Sequence, residues 1–116
     1  MAREEDIEIE QGADFTWSTT ATDAAGATLD VSGGTAILQA RPAADSTLVV
    51  LNLATGGSGI ALGASGAVTV TRTGAQTAAL PAPRRLVYDL FVTLSGGAVH
   101  RVKYGELTIV PRVSRT

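Results

Sequence analysis

Apolar residues in this chain recur at every second position, and Gly-rich turns break the alternation roughly every 8 to 12 residues. A period of two sends successive side chains to opposite faces of a pleated strand, whereas an amphipathic helix needs a period of 3.6. Ile7 and Ile9 alternate with Asp6, Glu8 and Glu10, and Phe15, Trp17 and Thr19 share one parity. Thr35 to Arg41 reads as the next strand, ended by Pro42, which has no amide hydrogen for a central ladder. Leu48 to Leu53 is apolar on both parities and is expected in the interior. Ile60 and Leu62, then Val68 to Arg72, form further short strands. Leu86 to Leu94 is the longest, with Tyr88, Leu90, Val92 and Leu94 on one face. After the turn Ser95-Gly96-Gly97-Ala98 the chain returns from Val99 to Val110. In that return Val102 and Tyr104 share a parity that Leu107 and Ile109 oppose, and Gly105 between them predicts a β-bulge.

The breaks are equally legible. Asp23 to Gly26, Gly56 to Gly59 and Gly63 to Gly66 have turn composition. Thr73 is placed to cap one helical turn through Gly74 to Ala78, which Pro81 and Pro83 stop. The expectation is an all-β chain: an immunoglobulin-like β-sandwich of seven to eight short antiparallel strands with one short helical turn. Residues 1–116 form a single domain. A closed barrel carries nearly the same signal. Parity sends Trp17 into the core. Tyr88 stands where immunoglobulin-like domains place a tyrosine that bonds back to the preceding corner, and a plain core aromatic is the competing reading.

Composition limits the rest. With 116 residues, 45% apolar and 17% charged, the chain can bury about two-thirds of its unfolded surface. There is no cysteine, hence no disulfide and no thiolate metal ligand. Its longest apolar stretch, Leu48 to Ala54, is far short of the about 20 residues that span a bilayer as helix. Arg3, Glu4, Glu5 and Asp6 are unlike the start of a signal peptide, so cytoplasmic synthesis and exit only within an assembly are expected.

A net charge of −2 gives no reason to expect nucleic-acid binding. Its distribution is uneven. Up to Asp45 nine acids (Glu4, Glu5, Asp6, Glu8, Glu10, Asp14, Asp23, Asp30, Asp45) face only Arg3 and Arg41. From Arg84 onward Arg84, Arg85, Arg101, Lys103, Arg112 and Arg115 face only Asp89 and Glu106. Solvated strand faces are one reading. The other is a domain with an acidic and a basic side, with Glu4, Glu5, Glu8, Arg101, Lys103, Arg112 and Arg115 as candidate interface residues. First and last strands can also be neighbours within one chain and neutralise each other there.

Residues for chemistry are scarce. His100 is the lone histidine, too few for a metal cluster or a triad with freedom of choice. Ser58 and Ser65 fail as nucleophile elbows because Ile60 and Ala67 stand where a second glycine is required. Lys103, the only lysine, follows no phosphate loop, and Leu62 takes the third glycine position of a dinucleotide fingerprint. No catalytic, cofactor or metal residues are expected, and the chain reads as a non-enzyme. Sugar stacking would need exposed aromatics, and only Phe91, alternating with Tyr88 and Leu90, is assigned outward beside Val87 and Asp89.

The run Ile9-Glu10-Gln11-Gly12-Ala13-Asp14-Phe15 with Trp17 resembles the opening of a family of small phage proteins. So do Asp30-Val31-Ser32-Gly33-Gly34-Thr35-Ala36, Gln39-Ala40-Arg41, Tyr88-Asp89-Leu90, Arg101, Gly105-Glu106 and Pro111 to Arg115. The family resembled is the immunoglobulin-like domain that begins some tailed-phage upper-baseplate proteins and also occurs alone in phage structural clusters. The resemblance implies a virion part made in the host cytoplasm that docks on tail, baseplate or neck proteins and anchors fibres. It implies several copies, no cofactor and no membrane partner. A carbohydrate-binding adhesion module and a capsid decoration protein are the alternatives.

Overall fold

The computed structural model describes residues 3–23, 25–57, 59–81 and 84–113. Within them nine strands form: β1 (Arg3–Glu4), β2 (Ile7–Glu10), β3 (Phe15–Thr20), β4 (Thr35–Arg41), β5 (Leu51–Ala54), β6 (Ile60–Leu62), β7 (Ala67–Arg72), β8 (Arg84–Thr93) and β9 (Val99–Val110). One short helix, α1 (Gly74–Ala78), joins β7 to β8. The larger sheet runs β1-β9-β8-β4-β5, with β2 continuing β1 along β9, and the smaller runs β3-β7-β6. The two pack face to face as a sandwich. Inward residues fill the space between them, among them Ile9, Leu38, Leu86, Leu90, Leu107 and Ile109 from the larger sheet and Val68 and Val70 from the smaller.

The period-two reading finds most of these faces. β2 alternates buried and exposed from Ile7 to Glu10, and β8 does so over most of its ten residues. The expectation that all strands are antiparallel fails at the N-terminus. β1 and β2 lie parallel to β9, with Ile7 beside Leu107 and Ile9 beside Ile109. That register buries four aliphatic side chains from the two termini together.

Three further expectations need correction. The run Leu48–Leu53 is not interior on both faces: Leu48 is 54% exposed, the strand begins at Leu51, and Asn52 faces solvent. The cause is its place at the edge of the larger sheet, where one face, Leu51 and Leu53, suffices to cover the core. The bulge falls at Val102 and not at Gly105, because Leu90 pairs Lys103 while Phe91 pairs Arg101. The extra residue leaves Val102 and Lys103 both turned toward the interior and sends Tyr104 outward beside Asp89. Gly105 is in register opposite Tyr88, and a Cβ there would lie 2.6 Å from the Glu5 carbonyl oxygen. Close backbone approach, not a bulge, requires this glycine.

Third, Trp17 is only half-buried, because β3 is itself an edge strand. Its ring meets Tyr88 edge to face, with centroids 6.1 Å apart at 83°. The helical turn forms as expected. Thr73 caps it, its hydroxyl accepting the Gln76 amide at 3.2 Å while the Gln76 side chain accepts the Thr73 amide at 2.9 Å. Ala24, Ser58, Pro83 and Arg115 lie outside the described residues.

Candidate functional site

Two places gather the polar residues: a clasp at the N-terminal strands and the open face of the larger sheet. The clasp begins with parity. Glu5 lies in the gap between β1 and β2 but shares the parity of the buried Ile7 and Ile9, so its side chain turns toward the core-facing side. There its carboxylate accepts the Trp17 indole N–H at 2.6 Å and the Lys103 ammonium at 3.1 Å. Its carbonyl accepts the buried Tyr88 hydroxyl, and its own amide donates to the Tyr104 carbonyl at 2.9 Å. Asp6 extends the junction by accepting the Glu106 amide at 3.1 Å. The two-residue gap between β1 and β2 is thereby sealed by side chains.

These contacts set the titration of the groups involved. The Trp17 hydrogen bond holds the Glu5 carboxyl below its ordinary value of 4.5; partial burial opposes it, and Lys103 adds to the lowering. Burial pushes the Tyr88 hydroxyl well above its ordinary value, and the charges of Glu5 and Asp6 push it further. Tyr88 is therefore a hydrogen-bond donor throughout the neutral range. Glu5 keeps 40% of its side chain exposed and Lys103 13%, so the ion pair is partly solvated. Its worth belongs nearer the surface range of about 0–1 kcal/mol than the buried one.

A second set of contacts ties Gln11, Gly12 and Asp14 to α1 and the end of β9. Gln11 donates to the Leu80 carbonyl at 2.8 Å and accepts the Arg112 amide at 3.2 Å. The fully buried Thr77 hydroxyl donates to the Ala13 carbonyl at 2.8 Å and accepts the Gly12 amide at 3.0 Å. Asp14 accepts the Gly74 amide at 2.7 Å.

The open face of the larger sheet carries the outward residues of β4, β8 and β9. Register sets Ile37 beside Phe91, Gln39 beside Asp89 and Arg41 beside Val87, and on the other side of β8 Asp89 stands beside Tyr104 and Val87 beside Glu106. Ile37 and Val87 are 41% and 37% exposed, and Phe91 and Tyr104 are half-buried. Between the apolar groups stand ion pairs, Arg85 with Glu106 at 3.4 Å and Arg101 with Asp89 at 4.0 Å. Arg101 also lies over the Tyr104 ring, 4.4 Å from its centroid. An open hollow of about 550 Å³ lies on this face, lined by Gln39, Arg41, Val87, Asp89, Tyr104 and Glu106 among others. The surface thus mixes apolar, aromatic and charged groups.

The candidate interface residues thus divide. Glu5 and Lys103 are paired within the chain. Arg101 belongs to the open face, and Arg112 lies against Gly12, where a Cβ would meet its side chain at 2.7 Å. Glu4 and Glu8 are exposed along the outer edge beside Tyr104 and Thr108 of β9. The sequence reading missed Gln11, Asp14 and Thr77 as structural hydrogen-bonding groups. It also missed the open face as a surface, having singled out only Phe91. His100 is half-buried opposite Val92. Among the described residues no three His, Cys, Asp or Glu side chains gather to hold a metal ion, and no helix is long and apolar enough to cross a membrane.

No protein-family model and no curated protein sequence matches the chain. Solved structures do. A crystal structure of chicken TCR superposes with a TM-score of 0.57 at 11% identity, over 99% of this chain and 57% of that one. The fold is an immunoglobulin-like β-sandwich. The chain spans a little over half the length of that receptor chain, and at this identity the likeness is one of fold alone.

Proposed function

We propose that this chain is a structural virion protein of a tailed bacteriophage, a non-enzymatic docking or adaptor domain of the tail, baseplate or neck that anchors fibres. In this reading it is made in the host cytoplasm, works in several copies beside other phage structural proteins, and needs no cofactor. One observation carries it. Many of the residues that give the chain its resemblance to small phage proteins are spent on holding the sandwich together: Gln11, Gly12 and Asp14 on α1, Tyr88 and Gly105 on the Glu5 junction. A sequence pattern made of fold-fixing residues suits a part whose task is shape, and it leaves the face of Ile37, Val87, Phe91 and Tyr104 available for docking.

A glycan-binding module is the competing reading, for which only Phe91 and Tyr104 supply rings on the open face. Trp17 suits it poorly, since Glu5 occupies its N–H and Tyr88 abuts its ring. Mass spectrometry of purified particles from the source phage or induced prophage decides the matter. The protein is expected at several copies per particle, and its absence from intact particles overturns the virion reading.

A further inference from the structure

We infer that β3 is a pairing edge through which two copies of this chain join antiparallel, extending the smaller sheet across a two-fold axis at Ser18. On one side β3 pairs with β7, and among the described residues no strand pairs with its other side. The ladder shows which groups are left over. The Ala21 amide donates to the Gly66 carbonyl at 2.8 Å, so odd residues turn their amides toward β7. Thr16, Ser18 and Thr20 therefore turn their N–H and C=O groups outward, and their side chains are exposed. The returning segment does not cover them, because Leu29 donates to the Ala21 carbonyl and Asp23 to the Ala27 carbonyl on the β7 side.

Sheet edges are normally protected by shortness, charge, proline or a bulge. β5 has four residues and β6 three, while the β1–β2 edge carries Glu4, Glu8 and Glu10 and breaks at Glu5 and Asp6. β3 uses none of these devices. Its six residues, Phe-Thr-Trp-Ser-Thr-Thr, contain no charge, proline or glycine and favour extended backbone. They are also self-complementary. An axis at Ser18 sets each Thr16 opposite Thr20 of the second copy, Ser18 opposite Ser18, and Trp17 opposite Thr19. Asp14 then falls opposite Thr22, so no like charges meet across the pair. Three hydrogen-bonded pairs give about six backbone bonds, and the new strand covers the half-exposed flanks of Phe15 and Trp17. Such a contact is smaller than a standard interface of about 1,600 Å², so the dimer is expected to depend on concentration. This pairing does not depend on the virion reading.

The chain lacks cysteine, which makes single-site crosslinking clean. In a narrow antiparallel pair the Cα atoms stand about 5.5 Å apart, within disulfide reach. S18C is expected to oxidise to a covalent dimer about tenfold faster than N52C, an exposed control on β5. Analytical ultracentrifugation of T16K/T20K should show self-association weakened about tenfold at low salt, since lysines then oppose lysines. T16K/T20E, which places opposite charges across the same pairs, should restore it. Equal crosslinking of S18C and N52C overturns the pairing, as do identical association of the two double variants and a monomer at every concentration. A strand of another protein as the true occupant would appear as that last result.

Discussion

Glu5 is the residue on which the N-terminal strands turn, and its parity was visible in the sequence. Glu5-x-Ile7-x-Ile9 places a carboxylate on the side that should be apolar, and such a group must find partners or remain protonated. It finds Trp17 and Lys103, while the backbone carbonyl of Glu5 accepts the Tyr88 hydroxyl. Because its folded pKa is depressed, the stability it contributes is complete above its ordinary value of 4.5 and is lost as pH falls below that value. Urea denaturation across pH 3 to 7 should therefore show a fall on the acid side that Glu5→Gln reduces by about 1 kcal/mol, allowing for its partial exposure. Tyr88→Phe acts on the same junction without a titration. It leaves the Glu5 carbonyl without its hydroxyl partner and should cost about 1–2 kcal/mol at any pH between 5 and 8.

At the scale of strands, alternation made the inward faces of β2 and β8 legible, and the Thr73 cap with the prolines beyond the turn made α1 legible. Three features were not, each for a physical reason. Parallel pairing of β1 and β2 with β9 joins residues a hundred positions apart, and nothing local in Ile7–Glu10 encodes a strand's direction. The bulge at Val102 puts two neighbours, Val102 and Lys103, toward the interior, and a lysine there gives no apolar signal. Leu48 and Val50 carry strand-like side chains but precede the ladder, which begins where Leu51 meets Ala40. Gly105 marks a parity switch in the sequence, yet the structure holds it in register opposite Tyr88. Its role as the space for Glu5 yields its own test. Gly105→Ala forces a Cβ to within 2.6 Å of the Glu5 carbonyl oxygen and should cost about 1–3 kcal/mol. Hydrogen exchange should localise the damage, with faster exchange at the Glu5 and Glu106 amides and little change in β4.

For the whole molecule, the uneven charge along the sequence changes meaning once the termini are side by side. The acidic first strands and basic last strand lie in one sheet, and Glu5 with Lys103 shows neutralisation within the chain. Glu4 and Glu8 remain on the outer edge, exposed, with Tyr104 and Thr108 as register neighbours. With Glu10 they are the exposed acids of that edge, and at such exposed sites charge steers encounter and orientation more than it adds affinity. Reversing Glu4 and Glu8 to lysine while leaving Glu5 intact separates these roles. The fold should survive with stability changed by less than about 0.5 kcal/mol, because neither side chain enters the core. If the acidic edge guides docking on a basic partner surface, incorporation of Glu4→Lys/Glu8→Lys into particles should fall at low ionic strength. At higher salt, where the screening length shortens toward about 3 Å at 1 M, the difference from wild type should vanish. Unchanged incorporation at both salts, with circular dichroism unchanged, would assign the acids to protection of an exposed sheet edge, as charges on such edges commonly serve.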